Sequence, residues 1–377
     1  MDIQGEIRPL TGLRFVAAFW VFLFHMQARW PFTDFAPARE IIAKGAFGMS
    51  LFFMLSGFIL AYRYANRLDL KDYVVNRVAR IYPVYLAAAI VTLPWIGVEI
   101  STESFNAFIH SLGRLVLLVG SNIFAIQAWF PEMFKIWNDG GSWSISTEAF
   151  FYVMLPALLP ALIALRPKAL WKVVVGCWLA SFLPGVSELF FKSEGTPFYS
   201  VPIYRLPEFV IGIAVLLMMR RGMKVPPSYA NWGAAALFIF YLALPVPLMH
   251  WVGNNWIVVP AIGLSLITLA TGKGFVSRFL GSPLMEWLGK ISYCFYSFQV
   301  LVILFCLSYR DDIGKAVPPL SSNGLLAIIA FFVLIGISAA GYYLIEEPCR
   351  KVLRALSRKS ILPWNAVTPE YTRGPTY

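Results

Sequence analysis

Residues 10–29 read LTGLRFVAAFWVFLFHMQAR, a nearly continuous apolar run that decides the class of the fold. A membrane-spanning helix needs about 20 predominantly apolar residues, and this run has that length. A strand of a membrane barrel would alternate apolar and polar side chains, which this run does not do. The run therefore predicts a transmembrane helix, and the rest of the chain can be compared with it.

The composition supports a membrane protein throughout the chain. Of the 377 residues, 59% are hydrophobic, 16% are aromatic and only 14% are charged. Soluble domains have about 25% charged residues. This excludes an ordinary soluble enzyme, a disordered chain and a nucleic-acid-binding protein. The net charge of +11 needs no nucleic acid to explain it, because Lys and Arg are enriched in the cytoplasmic loops of membrane proteins.

Nine further apolar runs follow the first and are each about long enough to cross a bilayer. Helices are expected for all of them, because lipid cannot satisfy free backbone groups. The sequence shows no internal repeat of the kind that many transporters carry. We predict an all-α integral membrane protein with about ten transmembrane helices, at 10–29, 46–62, 81–100, 145–165, 171–190, 203–219, 229–248, 254–271, 288–308 and 324–345.

The stretch 104–130 is predicted not to cross the membrane, because its apolar sequence contains His110, Arg114 and Asn122. If it is re-entrant or interfacial, the main basic clusters all fall on the cytoplasmic side, as the positive-inside rule requires. Both termini are then cytoplasmic. Residues 1–358 form one polytopic domain, and 359–377 form a polar tail. The basic clusters lie at 63–80, 166–172, 220–224, 273–290 and 350–359.

The first helix carries two polar side chains that are costly inside a membrane and are therefore functional candidates. Arg14 and His25 are eleven residues apart, which places them near one helix face and about 16 Å apart along the axis. Arg14 can instead be an anchor that extends to the interface. His25 can be a packed histidine bonded to a neighbouring helix, or a general base.

Glu148 is the second candidate, and it begins a long apolar span. Ser144, Glu148 and Tyr152 are spaced i, i+4 and i+8, so they are expected to share a helix face. A carboxylate in the first turns of a helix is stabilised by the helix dipole, so a capping role is the alternative.

Two further pairs of charged residues are candidates. Arg77 and Arg80 lie three residues apart within RVARIYP at 77–83, and two guanidiniums in this arrangement can bind a phosphate; the alternative is a topology signal. Arg205 and Glu208 open another apolar span and can pair with each other instead of binding a ligand. We find no metal-ligand constellation, phosphate-binding glycine loop or serine-nucleophile elbow, and no metal is expected.

Taken in order, these blocks resemble the membrane acyltransferase-3 family of O-acyltransferases. The resemblance covers about residues 7–355, and the ordered set is more specific than any single block. The matching blocks are Gly12-Leu13-Arg14 with His25, Phe52 to Phe58, Arg77 to Pro83, Trp143 to Glu148 with Phe151-Tyr152, Arg205 to Phe209, Ile291-Ser292-Tyr293 with Tyr296, and Glu347-Pro348.

The resemblance implies transfer of an acyl group, usually acetyl from acetyl-CoA, to a carbohydrate hydroxyl. His25 would be the general base or would carry the acyl group transiently. Glu148 would orient His25 and stabilise its charge, or would take part in the proton transfer. The residues expected to bind the CoA phosphates are Arg14, Arg77 and Arg80. Those expected to shape the substrate pocket are Ser144, Tyr152, Arg205 and Glu208.

The sequence departs from the family pattern at two positions. Ala149 stands where a second acidic or polar residue often follows the glutamate. Gln299 stands where the family often has a histidine.

The resemblance also suggests the setting of the reaction. We expect a bacterial inner-membrane enzyme that acylates a lipid-linked or polymeric glycan, such as an exopolysaccharide repeat unit on a lipid carrier, beside polysaccharide assembly machinery. The alternatives are a transporter or flippase of a lipid-linked glycan, a structural membrane protein, and an acyltransferase that uses a succinyl or longer acyl donor.

Overall fold

The computed structural model describes residues 7–133, 136–137, 139–184, 197–223, 225–244, 255–272 and 274–359. Within these ranges the chain is helical with connecting turns and has no strand, which confirms the all-α prediction. The α-helices are α1 (Arg8–Arg29), α2 (Ala36–Ala43), α3 (Phe47–Tyr64), α4 (Leu70–Val91), α5 (Phe105–Ile123), α6 (Asp139–Ala164), α7 (Pro167–Ala180), α8 (Pro197–Ser200), α9 (Pro202–Arg220), α10 (Pro227–Ala243), α11 (Asn255–Ala270), α12 (Phe275–Leu280), α13 (Pro283–Ala316), α14 (Asn323–Gly341) and α15 (Glu347–Lys359).

Seven helical segments of the described chain are long and apolar enough to cross a membrane. The predicted count of ten is therefore not confirmed. The other three predicted spans fall on α7, α10 and α11, which have 14, 17 and 16 residues in the described ranges. The seven segments are Arg8–Arg29, Ala36–Tyr64, Leu70–Val91, Gly141–Ala164, Pro202–Arg220, Pro283–Ala316 and Asn323–Ser357.

The ambiguous stretch 104–130 contains one continuous helix, α5, that is not among the seven. Its N-terminus is capped by Ser104, whose side-chain oxygen accepts a hydrogen bond from the Ala107 N–H at 3.2 Å. Most of its side chains are exposed, and only Leu118 and two residues of its last turn are buried. Its re-entrant or interfacial position stays a prediction.

Helix α3, which carries the block Phe52 to Phe58, and helix α9, which carries Arg205 and Glu208, cross with their backbones in contact. A Cβ atom on Gly57 would lie 2.1 Å from the Phe209 carbonyl oxygen, and one on Gly212 would lie 2.0 Å from the Met54 carbonyl oxygen. Small residues allow such close approach of membrane helices, which is then stabilised by van der Waals contact. The crossing places the start of α9 against the first half of α3.

A second close crossing joins α1 to α13. A Cβ atom on Gly289 would lie 2.1 Å from the Thr11 carbonyl oxygen. The aromatic ring of Phe295 on α13 contacts Phe15 and Phe22 of α1, with ring centroids 5.4 and 5.6 Å apart. The face of α1 that carries Arg14 and His25 therefore packs beside α13.

The end of the described chain returns to α4. After α14, a π-helical turn spans Tyr342–Glu346 and leads into α15. The Arg354 Nε atom of α15 donates to the Asn76 side-chain oxygen of α4 at 2.6 Å. Two basic clusters that are far apart in sequence thus meet in space. The predicted polar tail lies outside the described residues from residue 360 onwards.

Candidate active site

A cavity of about 630 Å³ lies where α1, α3, α4, α6, α13 and α15 meet. Its wall contains six arginines and, among the lining residues that the structure describes, Glu148 is the only acid. Its polar lining residues are Thr11, Arg14, Ser56, Tyr62, Arg63, Asn76, Arg77, Arg80, Ser144, Glu148, Tyr152, Ser292, Tyr293, Tyr296, Arg350 and Arg354.

Helix α6 contributes the three side chains that the sequence places on one face. Ser144, Glu148 and Tyr152 all line the cavity. Glu148 accepts a hydrogen bond from the Ser56 hydroxyl of α3 at 3.2 Å and a short one from the Tyr152 hydroxyl. The hydroxyls of Ser144 and Tyr296 lie 2.7 Å apart. The carboxylate is thus oriented by two neutral donors and faces the open space.

The double arginine of α4 occupies another part of the wall. The Arg77 guanidinium lies 5.3 Å from the centre of the Tyr152 ring and 5.8 Å from that of Tyr64, which are cation–π distances. Arg80 interacts electrostatically with Glu148 and with Glu346. Arg14 of α1 lines the same cavity, so the three predicted donor-binding arginines are brought together.

Sequence reasoning missed Glu346, which lies behind these arginines. It is only 2% exposed, lies 3.8 Å from the Arg350 guanidinium, and accepts a hydrogen bond from the Cys294 thiol at 3.5 Å. Arg80 and Arg14 also interact electrostatically with the Glu346 carboxylate. The available signal was an acid at the end of the last apolar run, immediately before the Glu347-Pro348 block.

Three cavity arginines were seen in the sequence only as topology signals. They are Arg63, Arg350 and Arg354, which come from the basic clusters at 63–80 and 350–359. Their position in the cavity could not be predicted, because it depends on how the last helix packs on α4 for Arg350 and Arg354 and on how α3 packs among the other cavity helices for Arg63.

His25 lies about three helical turns beyond Arg14 and does not line this cavity. Its neighbours include Gln299 and Arg29. Gln299 is fully buried, and its side-chain amide is a hydrogen-bonding neighbour of the imidazole. The residue that replaces the frequent family histidine is therefore beside His25.

The expected contact between Glu148 and His25 is not found. Within the described chain, no hydrogen bond or ion pair joins them, because Glu148 is held by Ser56 and Tyr152 at the Arg14 end of α1. The two candidate catalytic groups occupy separate surroundings, and Glu148 does not orient the imidazole in this structure.

Arg205 and Glu208 form a sealed ion pair away from the cavity lining. They lie 3.0 Å apart and are 1% and 2% exposed. The Ser50 hydroxyl donates to Glu208 at 2.9 Å and accepts from Arg205 at 3.1 Å. The rings of Phe53 and Tyr199 each lie 5.3 Å from the Arg205 guanidinium. The structure thus shows mutual pairing. Arg205 and Glu208 were expected to shape the substrate pocket. They do so only indirectly, because Phe53 lies between the ion pair and the cavity and lines the cavity itself.

No group of three or more His, Cys, Asp or Glu side chains in the described ranges is arranged to bind a metal ion.

Comparison with known proteins gives a consistent result. Residues 8–345 match a family model described as an acyltransferase domain. The chain is 26% identical to the acyltransferase MdmB of Streptomyces mycarofaciens, over 92% of each protein. No solved structure is significantly similar to it.

Two other relatives are longer than this chain. One is a Staphylococcus aureus (strain COL) protein provisionally named an O-acetyltransferase, 23% identical over 95% of this chain and 60% of its own length. The other is a Bacillus subtilis protein provisionally named a peptidoglycan O-acetyltransferase, 24% identical over 94% of this chain and 56% of its own length.

Proposed function

The chain belongs to the acyltransferase-3 family, and we propose that it transfers an acetyl group from acetyl-CoA to a carbohydrate hydroxyl. The observation that carries the proposal is the cavity in which six arginines surround one carboxylate. Arginine binds phosphate through paired, charge-assisted hydrogen bonds, so this wall suits a donor that carries several phosphate groups. Arg14, Arg77 and Arg80 are the proposed donor-binding residues.

The charge distribution supports a cytoplasmic entrance for the donor. The basic clusters at 63–80 and 350–359 meet at the cavity, and such clusters mark the cytoplasmic ends of membrane helices. We therefore propose a multi-pass enzyme of the bacterial inner membrane, with ten spans and both termini in the cytoplasm. Acetyl-CoA is available on that side.

In the proposed reaction, the acceptor hydroxyl oxygen attacks the thioester carbonyl carbon. A base takes the hydroxyl proton, the carbon–sulfur bond breaks, and CoA leaves as a thiol after gaining a proton. His25 is the proposed base or transient acyl carrier, and the thioester arm would extend about 16 Å along α1 from Arg14 to reach it. The side-chain amide of Gln299, a hydrogen-bonding neighbour of His25, can help to position the imidazole.

Glu148 has a separate part in this proposal, because its partners are Ser56 and Tyr152 and not His25. It lies within the cavity, beside the arginines that would bind the donor. There it exchanges protons with the cavity, whereas the CoA sulfur, bonded to the carbon that is attacked beside His25, gains its proton from the imidazolium. Ser144 and Tyr152 share its wall and contact the bound substrates.

A glycan is the proposed acceptor. The Bacillus subtilis relative is named for peptidoglycan, itself a carbohydrate polymer. For this chain we propose a surface or exported polysaccharide, specifically an exopolysaccharide repeat unit on a lipid carrier, with the bilayer and the polysaccharide assembly machinery as partners.

The test is acyl transfer by the purified protein in nanodiscs, with radiolabelled acetyl-CoA and a lipid-linked glycan extract. Wild type should label the glycan, and His25→Ala should not. His110→Ala is the matched control, because His110 lies on α5 at a separate surface pocket and should leave transfer unchanged.

Label on the glycan in wild type and in His110→Ala, but not in His25→Ala, supports the enzyme and the role of His25. If the glycan is labelled equally by all three proteins, His25 has no catalytic role. Movement of the glycan across the membrane without ester formation, with a competent acceptor pool, would instead indicate a flippase.

A further inference from the structure

We infer that Arg350 and Arg354 of α15 form a second phosphate subsite, so that the cavity selects donors carrying a nucleotide with more than one phosphate group. This subsite deepens the proposed function and rests on it. It adds the last described helix to the donor site that the double arginine of α4 begins.

The positions of the two side chains support a shared ligand. Arg350 and Arg354 are one helical turn apart, so they project from one face of α15, and both line the cavity. Lys351 projects elsewhere: its side chain is 73% exposed and pairs with Glu347 at 2.8 Å. The helix thus directs guanidiniums inward and an ammonium to the surface.

Both arginines are held in place by neighbouring groups. Arg350 lies 3.8 Å from the buried Glu346 carboxylate, and Arg354 donates from Nε to Asn76 at 2.6 Å. Asn76 directly precedes Arg77, so the bond ties α15 to the double-arginine segment. A guanidinium has five N–H donors, and these anchors use only part of that capacity. The remaining donors can bind phosphate without a large loss of side-chain freedom.

The charge balance indicates how much anion the site can take. Six arginines line the cavity, whereas Glu148 in the wall and Glu346 behind it are the carboxylates that offset them; Glu347 also interacts with Arg350 but is paired with Lys351 at 2.8 Å. This leaves a surplus of four positive charges in a partly enclosed space, which is costly unless an anion compensates it. A single phosphate supplies at most two negative charges. A donor with several phosphate groups matches the surplus.

The inference can be tested by comparing two donors with the same thioester. Acetyl-CoA carries the nucleotide phosphates, and acetyl-pantetheine carries none. Wild type should show a much lower KM for acetyl-CoA. Arg354→Gln should reduce this preference about tenfold, the effect of one charge-assisted hydrogen bond, because the KM for acetyl-CoA rises more than that for acetyl-pantetheine. Lys351→Gln removes a charge from the same helix and should keep the full preference.

Arg350→Gln alone would remove the cation that lies 3.8 Å from the buried Glu346 carboxylate, so the double variant Glu346→Gln with Arg350→Gln is the better probe. It should also reduce the preference while preserving the folded protein. If wild type, Arg354→Gln and the double variant are all active and prefer acetyl-CoA over acetyl-pantetheine equally, the proposed subsite is wrong.

Calorimetric binding of CoA and pantetheine separates this failure from failure of the proposed function. If CoA binds better than pantetheine, and Arg354→Gln removes the difference, the subsite stands even when no acyl transfer is found. If wild type binds both equally weakly, the subsite is wrong whatever the protein catalyses.

Discussion

Glu148 and Glu208 are two carboxylates that begin apolar spans, and each accepts a hydrogen bond from a serine of the same helix, α3. Ser56 donates to Glu148 at 3.2 Å, and Ser50 donates to Glu208 at 2.9 Å. Their surroundings nevertheless differ. Glu208 faces Arg205 at 3.0 Å in a closed region, whereas Glu148 faces a cavity.

The difference shows that an acid in a membrane helix is not by itself a sign of a ligand site. Glu208 has one cation of its own, and together they are almost inaccessible. Such a pair is a structural element, and the loss of either partner leaves the other as an uncompensated buried charge. Glu148 has neutral hydroxyl partners, Ser56 and Tyr152, and a wall with excess positive charge. Access and charge imbalance distinguish the candidate site.

The largest expected effect is on catalysis at Glu148. Glu148→Gln keeps the shape and the hydrogen bonds to Ser56 and Tyr152 but loses the ability to exchange a proton. Acyl transfer should fall about 10²–10⁴-fold, the usual contribution of a general acid or base. The measurement is the initial rate in nanodiscs. Glu347→Gln, at a surface pair with Lys351, is the control. An unchanged rate in Glu148→Gln would contradict the conclusion that Glu148, unlike Glu208, belongs to the active site.

The next effect is on stability at Glu208. Glu208→Ala leaves the Arg205 guanidinium buried without its carboxylate, and it should lower the free energy of unfolding by about 3–5 kcal/mol. Unfolding in mixed detergent micelles would measure this. The double variant Arg205→Met with Glu208→Leu should recover much of the loss. If that variant is stable but cannot bind donor, the pair has a binding role as well.

The two serines provide a smaller and closely matched test. Ser50→Ala removes a buried donor from Glu208 and should cost about 1–3 kcal/mol of folding stability. Ser56→Ala removes the corresponding donor from Glu148, where cavity solvent can replace it, so stability should change by less than about 0.5 kcal/mol. Its effect should appear in the transfer rate instead. Equal losses of stability in both variants would show that the two regions are energetically alike.

The smallest expected effect concerns one donor-binding cation. Arg77→Gln should raise the KM for acetyl-CoA about tenfold, with the folded yield unchanged, because one phosphate contact is lost. Added salt should narrow the gap between wild type and variant, because screening weakens the wild-type contact. An inverted topology of the variant, measured by cysteine accessibility, would instead support the topology-signal interpretation of Arg77 and Arg80.

Much of the site could be predicted because helical spacing is a local property. The i, i+4, i+8 pattern placed Ser144, Glu148 and Tyr152 on one face, and all three line one cavity. The ordered blocks also indicated the family, which the match over residues 8–345 confirms. The count of ten spans stays a prediction, since seven described segments meet the length and hydropathy requirement.

The rest of the site depends on contacts between distant segments. Arg350 and Arg354 reach the cavity, and Glu346 lies behind them, because α15 folds back onto α4, with Arg354 bonded to Asn76 across 278 positions of sequence. No periodicity within one helix contains that information. The same limit explains why Glu148 was expected to contact His25: both belong to the family blocks, but helix packing sets their partners.

The sequence by itself determined an all-helical membrane protein of the acyltransferase-3 family and which polar residues its helices carry, because hydropathy and helical spacing are properties of short segments. Only the tertiary structure decided which of these residues share a cavity. It placed Glu148 among arginines and enclosed Glu208 with Arg205, because α3 packs against α6 and α9 through different faces. Burial and charge balance arise from such packing, and they separate a binding carboxylate from a structural one.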